Sequence, residues 1–283
     1  NRKLYLDFVM ASSSPRQRTK RHLVQVCWQW NELATPLLYS RILLTRLRTL
    51  NSILDVASGP RSRGRHLGAF VQRLDVRIDG RGRENRHISY RDTKTLLSFT
   101  PNLNTLNLVN IHNDDLIPDA EYLFSIPASL EHLNWTIRLQ KPSVVWKTWL
   151  DFLSTHPHLK SLNIVPDQHS IIPGDDSKED ISPWTFPSIQ EIFIEESSSP
   201  LSFVTHFTPL LVPSLHTLHF HDPFTPYTTY TPSTISIFPP HGQTLKIAHI
   251  LLPCSWEHSP AYHRSSIENY VSQLSQHCPN LQE

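Results

Sequence analysis

One short phrase recurs along this chain and limits its fold more than any other property: a proline, one or two residues, then an apolar ladder. It reads Pro101-Asn-Leu103-Asn-Thr-Leu106-Asn-Leu108 and then Pro157-His-Leu159-Lys-Ser-Leu162-Asn-Ile164. It returns as Pro187-Ser-Ile189-Gln-Glu-Ile192-Phe-Ile194 and as Pro213-Ser-Leu215-His-Thr-Leu218-His-Phe220. A copy with one extra residue runs Pro127-Ala-Ser-Leu130-Glu-His-Leu133-Asn-Trp135. The ladder Val71-Gln-Arg-Leu74-Asp-Val76 lacks the proline, and Pro279-Asn-Leu281 opens a further copy. Such self-similarity means stacked units that bury one continuous core, each unit contacting its neighbours alone.

The last two apolar positions of each ladder alternate with polar residues, which is strand periodicity with one buried face. The segments between ladders return the chain. Trp146, Trp149, Leu150 and Leu153 lie at i, i+3, i+4 and i+7, as do Ile267, Tyr270, Val271 and Leu274, so helices are predicted there. Leu96, Leu97 and Phe99, and also Tyr122 and Leu123, predict shorter helical turns. Proline disfavours helix in the residue before it and has no N–H for a ladder, so it closes the helix and begins the strand. The expected fold class is therefore α/β: a leucine-rich-repeat solenoid with parallel strands on the concave side and helices or turns on the convex side. One more ladder is expected near Leu245, where two registers fit, Leu245/Ala248/Ile250 or Ile247/Ile250/Leu252. The first ladder positions are then about 26 to 36 residues apart, longer and less regular than the commonest leucine-rich repeats.

Composition narrows the setting. No run of about 18 apolar residues exists, so no membrane span is expected. Three widely separated cysteines, Cys27, Cys254 and Cys278, do not make a disulfide framework and fit a reducing compartment. The sequence opens on Asn1 and ends inside a ladder, so the protein is expected to continue at both ends. The net charge of +1 conceals a split: residues 1–100 hold 19 Lys and Arg against 7 Asp and Glu, and the rest holds 7 against 18. Opposite fields of this kind bear on the steering of partners.

Residues 15–44 do not follow the repeat. Ser14-Pro15 suits a helix start, and Leu23, Val26, Cys27, Trp30, Leu33 and Ala34 then form one apolar helical face. Thr35-Pro36 is expected to begin a second segment, Leu37 to Ile42. Spacing alone reads this stripe as core. The string Leu23-Val-Gln-Val-Cys27-Trp-Gln-Trp30-Asn-Glu-Leu33-Ala-Thr-Pro-Leu-Leu-Tyr39 nevertheless resembles the second half of an F-box, with its Val-Cys-x-x-Trp core. Its continuation into leucine-rich repeats is similar to F-box proteins of mushroom-forming fungi. The family's opening Leu-Pro element is absent, with Leu4-Tyr-Leu6-Asp-Phe8 in its place.

The resemblance implies a small all-α F-box-like module at residues 1–45, followed by the repeats at 46–283. It also implies that the chain is the non-catalytic substrate-recognition subunit of an SCF-type cullin-RING ubiquitin ligase in the cytoplasm or nucleus. Leu23, Val26, Cys27, Trp30 and Leu33 would then form the module core and bind a Skp-type adaptor, and through it a cullin. An unidentified protein substrate would lie on the concave strand residues. Those singled out are Arg73, Arg77, Asn107, His132, Asn134, Asn163, Glu191, Phe193, Glu195, His219 and His221.

Rival readings stay open at this stage. His219 and His221 share a strand face beside Asp222, but a closed zinc site needs four ligands and no third is spaced to join them, so no metal or other cofactor is expected. The basic stretches Arg61 to His66 and Arg81 to His87 suit phosphates but lack interleaved aromatics, so they are read as solvated loops ahead of a nucleic-acid site. A repeat scaffold unrelated to ubiquitin explains the ladders equally well. Two long insertions, Pro166 to Pro183 and Asp222 to Gly242, are placed where scaffolds often carry recognition. No glycine-rich phosphate loop, H-E-x-x-H or G-x-S-x-G appears, so catalysis is not expected.

Overall fold

The structure, a computed structural model, describes residues 26–45, 49–51, 53–54, 67–77, 90–109, 120–136, 146–165, 185–195, 212–221, 241–251, 268 and 271–282. The protein is α/β. Among the described residues there are eight strands: β1 (Arg41–Leu44), β2 (Arg73–Arg77), β3 (Thr105–Val109), β4 (His132–Thr136), β5 (Ser161–Val165), β6 (Glu191–Glu195), β7 (Thr217–His221) and β8 (Ile247–Leu251). They follow chain order in a parallel sheet. Among the described residues, helices include α1 (Trp28–Tyr39), α2 (Tyr90–Ser98), α3 (Ala120–Phe124) and α4 (Trp146–Thr155), with a 3-10 turn at Leu67–Phe70 and helical residues at 271–277. The fold divides into two compact units, Asn1–His132 and Leu133–Glu283.

The ladders beginning at Val71, Leu103, Leu130, Leu159, Leu215 and Leu281 start from the same kind of corner. The N–H of the first ladder residue donates to the carbonyl three residues earlier: Leu103 to Thr100, Leu159 to His156, Leu215 to Val212 and Leu281 to Cys278. Proline therefore occupies the second position of a four-residue turn, where its fixed φ is already suitable. The copy with one extra residue moves the proline to the first position, and Leu130 donates to Pro127 itself. Without a proline, Val71 donates to Gly68. The residue opening the turn is an interior one in Gly68, Thr100, His156, Phe186, Val212 and Cys278.

Successive corners are tied together. Asn102 Nδ2 donates to the Ala69 carbonyl at 2.8 Å, and Ser129 Oγ to that of Pro101 at 2.9 Å. Ser188 Oγ donates to the Pro157 carbonyl, and Asn280 Nδ2 to that of Gln243 at 2.7 Å. The polar residue just before each of these ladders thus staples its turn to the preceding one. At the strand entrance one carbonyl then accepts two consecutive N–H groups, as Ser40 does from Gln72 and Arg73, and Gln72 from Asn104 and Thr105.

The core consists of the ladder positions themselves. In the first unit Leu74, Val76, Leu103, Leu106, Leu108 and Leu130 are fully buried, and Leu96, Leu97, Tyr122 and Leu123 cover them from α2 and α3. Tyr122 accepts a hydrogen bond from Thr93 at 3.2 Å, and burial pushes its hydroxyl pKa well up. In the second unit Leu133, Trp135, Leu159, Leu162, Ile189, Ile192, Leu215, Leu218 and Leu245 repeat the pattern, with Phe152 of α4 fully buried. Near Leu245 the first of the two registers is adopted: Leu218 pairs with Ala248 and Phe220 with Ile250.

Four expectations change. Cys27 is extended (φ −158°, ψ 173°) and lies just before α1, so the anticipated apolar face across residues 23–34 is not one helical stripe. Pro36 does not start a new segment. It lies inside α1, since a proline removes one helical bond without ending a helix whose other face is packed. Tyr39, Ile42 and Leu44 are 3%, 1% and 0% exposed and form a ladder of their own, with Ile42 beside Leu74 and Leu44 beside Val76. Finally, Val271 is exposed, and the helical residues before the last corner bury Cys278 in its place. Ser14-Pro15, Leu23 and the stretches at 61–66 and 81–87 lie outside the described residues.

Candidate functional site

Residues between ladder positions face away from the core, so the strand register decides which of them become neighbours. In the first unit Arg41 pairs with Arg73 and Arg73 with Thr105, while Leu43, Asp75 and Asn107 form the next row. Asp75 is the centre of this face. Its position calls for a solvated side chain, yet it is only 2% exposed because neighbouring side chains close over it. Arg41 donates to Asp75 Oδ2 from Nε at 2.9 Å, and its Nη2 lies 2.8 Å from the same oxygen. Arg73 Nε donates to Oδ1 at 3.0 Å, and Asn107 Nδ2 donates to the same atom. Burial by itself would raise the Asp75 pKa. The hydrogen bonds from Asn107, Arg41 and Arg73 and the charge of Arg73 outweigh that effect and hold it below the ordinary carboxylate value.

His132 follows in the same row as Thr105, since its N–H shares the Asn104 carbonyl with that of Glu131. Its side chain is half exposed, with Nε2 at 4.0 Å from Glu131. Arg77 holds the end of β2, in register with Val109.

In the second unit the register aligns Asn163, Phe193, His219 and His249 across β5 to β8. The last three stack. Phe193 and His219 have ring centroids 3.9 Å apart at 7°, and His219 and His249 are 4.7 Å apart at 12°. His219 Nε2 donates to Glu191 Oε1 at 3.0 Å, which fixes the neutral tautomer. Burial lowers the His219 pKa; the hydrogen bond and charge of Glu191 oppose this, the His249 charge adds to it, and the result is a lowered value. Glu195 and His221 are paired at the far ends of β6 and β7. Asn134 lies on β4. Among the described residues, no group of three or more His, Cys, Asp or Glu is placed to hold a metal ion.

This arrangement has a consequence for pH. A histidine with a lowered folded pKa is protonated first in the unfolded chain. Stability therefore falls as pH drops through the unfolded value of about 6.5. Burial lowers the His241 pKa in the same direction. The melting temperature is expected to be lower at pH 5.5 than at pH 7.5, and the difference to shrink in His219→Gln. An equal difference in both proteins would rule out His219 as its source.

A second surface lies on α1. Its packed side is Ala34, Thr35, Leu38 and Tyr39, turned toward β1 and the 3-10 turn. The adjoining arc carries Trp30, Leu33 and Leu37, exposed by 46%, 69% and 58%. Val26 and Trp28 are exposed as well, and Cys27 is an exposed free thiol. Sequence spacing read Val26, Cys27, Trp30 and Leu33 as core, and the F-box resemblance implied core together with an adaptor-facing edge. The structure puts these four on the surface, because packing covers only half of an apolar girdle that periodicity treats as one face.

Two residues escaped the sequence reading. Arg41 was missed because Tyr39-x-x-Ile42-x-Leu44 had not been read as a ladder, although Tyr39 precedes Val71 by the same 32 residues that separate Val71 from Leu103. His249 was missed because the register near Leu245 was open. Most of the insertions at 166–183 and 222–242 lies outside the described residues. No described helix is long and apolar enough to cross a membrane.

No family model and no curated protein sequence matches the chain. Among solved structures, the chain is similar to a Bacteroides fragilis protein determined as a structural-genomics target, with a TM-score of 0.37 and 12% identity. That match covers 70% of this chain and 46% of the other, so this chain spans about half of that protein's length.

Proposed function

We propose that this protein is the substrate-recognition subunit of an SCF-type cullin-RING ubiquitin ligase, built from an F-box-like helical segment that ends with α1 at Tyr39 and an irregular leucine-rich-repeat solenoid whose first strand is β1 (Arg41–Leu44). The reading is non-catalytic: ubiquitin chemistry belongs to other subunits, and this chain supplies proximity by holding a protein substrate. The repeats offer the open face of the sheet to that substrate, and the helical segment docks a Skp-type adaptor. Cytoplasm or nucleus is the matching location. No metal or other cofactor is required.

The observation that carries the reading is the apolar arc of α1. Trp30, Leu33 and Leu37 face solvent on a helix that is already packed on its other side. Exposed apolar stripes next to a buried one mark partner surfaces, and aromatic residues dominate binding energy at such sites. Together with the Val-Cys-x-x-Trp resemblance, which shares Trp30 with this arc, this favours adaptor docking over a repeat scaffold that has no such partner.

The test is co-purification of the full chain with a Skp-type adaptor. Trp30→Ala combined with Leu33→Ala is expected to weaken adaptor binding by about tenfold or more, with little change in melting temperature because Leu33 is largely exposed and Trp30 about half exposed. Undiminished binding by the double variant would remove α1 as the docking face.

A further inference from the structure

We infer that Arg41 and Arg73 form a receptor site for an oxyanion carried by an acidic peptide segment of the protein ligand. The inference rests on the open face being a protein-binding surface and is independent of the adaptor contact.

The argument begins with Asp75. A carboxylate has about four lone-pair sites, and here it receives Arg41 Nε and Nη2, Arg73 Nε and Asn107 Nδ2. Its acceptor capacity is filled. One guanidinium would balance its charge, but two are bound to it, so the cluster keeps a net positive charge. A guanidinium presents five N–H groups in a rigid plane. The bonds to Asp75 use the Nε edge of both residues and leave the larger part of each fork directed elsewhere. The arginine side chains are 54% and 42% exposed, while that of Asp75 is 3% exposed. The carboxylate is therefore the buried base, and the two guanidiniums are the surface above it.

That base removes a cost ordinary surface arginines incur on binding. A free arginine loses rotamer freedom when it grips a ligand, whereas these two are already oriented by hydrogen bonds to one fixed acceptor. Their Cα atoms are partners on adjacent strands, a spacing of about 5 Å that suits two forks closing on one tetrahedral or planar oxyanion. Thr105 and His132 continue the same row; the Thr105 hydroxyl donates to Asn104 Oδ1 at 3.0 Å and can still accept from an extended segment, and His132 offers it a ring N–H. The excess of Lys and Arg in residues 1–100 attracts such a segment from a distance.

The occupant is a peptide and not a nucleic acid. A nucleic-acid strand needs cations along its whole backbone and aromatic faces for its bases. On the described open face of the first unit the cationic positions are Arg41, Arg73 and Arg77. Leu43, Asp75, Thr105, Asn107, Val109 and, at the start of β4, His132 occupy the others, and none of these is Phe, Tyr or Trp. One local oxyanion grip beside neutral polar residues fits an acidic side chain on an extended chain.

Fluorescence anisotropy on the full chain tests this with three labelled decapeptides: one Glu-rich, one in which the central glutamates are phosphoserines, and one in which they are glutamines. The two acidic peptides are expected to bind and the glutamine peptide to bind at least tenfold more weakly. Their ratio tells carboxylate from phosphate as the preferred oxyanion. Arg41→Gln with Arg73→Gln is expected to reduce acidic-peptide binding about tenfold or more. Arg41→Lys with Arg73→Lys keeps the charge opposite Asp75, and so the fold, but loses the planar fork; a loss of about threefold or more is expected. Lys246→Gln, in the second unit, is expected to change binding less than twofold.

Equal binding of acidic and neutral peptides, or unaltered binding in the lysine double variant and in a folded glutamine double variant, would overturn the proposal. So would an arginine-dependent preference for a single-stranded oligonucleotide over the peptides. Adaptor co-purification of the unmodified chain is scored in parallel. Loss of adaptor binding with peptide binding retained removes the ubiquitin reading alone, and the reverse outcome removes the anion site alone.

Discussion

Gly68→Ala is expected to destabilise the first unit by about 3 kcal/mol or more. Gly68 opens the turn before β2 and is buried. A Cβ added there would overlap the carbonyl oxygen of Phe99 and lie 2.8 Å from its carbonyl carbon. Both are backbone atoms at the end of the next helical segment, beside Thr100, whose carbonyl closes the following corner. A flexible side chain would swing aside, but a backbone already committed to a turn and a strand entrance cannot. The Ala69 carbonyl next door also accepts the Asn102 staple, so any shift at Gly68 disturbs the tie between two repeats. Chemical denaturation of the purified variant provides the measurement. A midpoint indistinguishable from the parent would show that the two corners do not approach as described.

Leu106→Ala is expected to cost about 2–5 kcal/mol. Leu106 is completely buried at the middle ladder position of β3, with Leu74, equally buried, beside it in register. Removing the isobutyl group leaves a cavity among rigid strand residues, with no mobile neighbour to fill it. Leu33→Ala removes the same atoms from α1, where Leu33 is 69% exposed, and is expected to change stability by no more than about 0.5 kcal/mol. The contrast separates core from exposed surface with one substitution type. Stacked repeats depend on nearest neighbours, so hydrogen exchange in the Leu106 variant should accelerate first in β2 and β3 and least in β7 and β8. Uniform acceleration along the chain would contradict that independence.

The ladder was legible in the sequence because a spacing of three and then two leaves little but a strand with one buried face. Leu103, Leu106 and Leu108 are all fully buried, as that reading requires. Tyr39-Ser-Arg-Ile42-Leu-Leu44 obeys the same spacing, but an aromatic holds its first position and Thr35-Pro36 looks like a break upstream. Near Leu245 the small Ala248 carries so weak an apolar signal that a second register competes with the true one. The candidate sites are less legible for a different reason. Arg41 and Asp75 lie 34 residues apart, and only strand pairing brings them together. The apolar girdle of α1 is visible in sequence, but which half is covered depends on β1 and the 3-10 turn, elements whose position no local pattern encodes. The interior can be read from one repeat at a time, whereas a surface belongs to several.

The stapled corner explains how unequal repeats stack at all. Strand register is set where the chain enters the strand, by a four-residue turn that at Asn102, Ser129, Ser188 and Asn280 is anchored to the turn before it, and not by the number of residues since the last strand. The path between one strand's end and the next corner is then a return route of arbitrary length with a fixed point of arrival. Residues gained or lost along it leave the ladder in phase. A lineage of such chains is free to lengthen or trim its return routes, altering what surrounds the open face, without renegotiating the core.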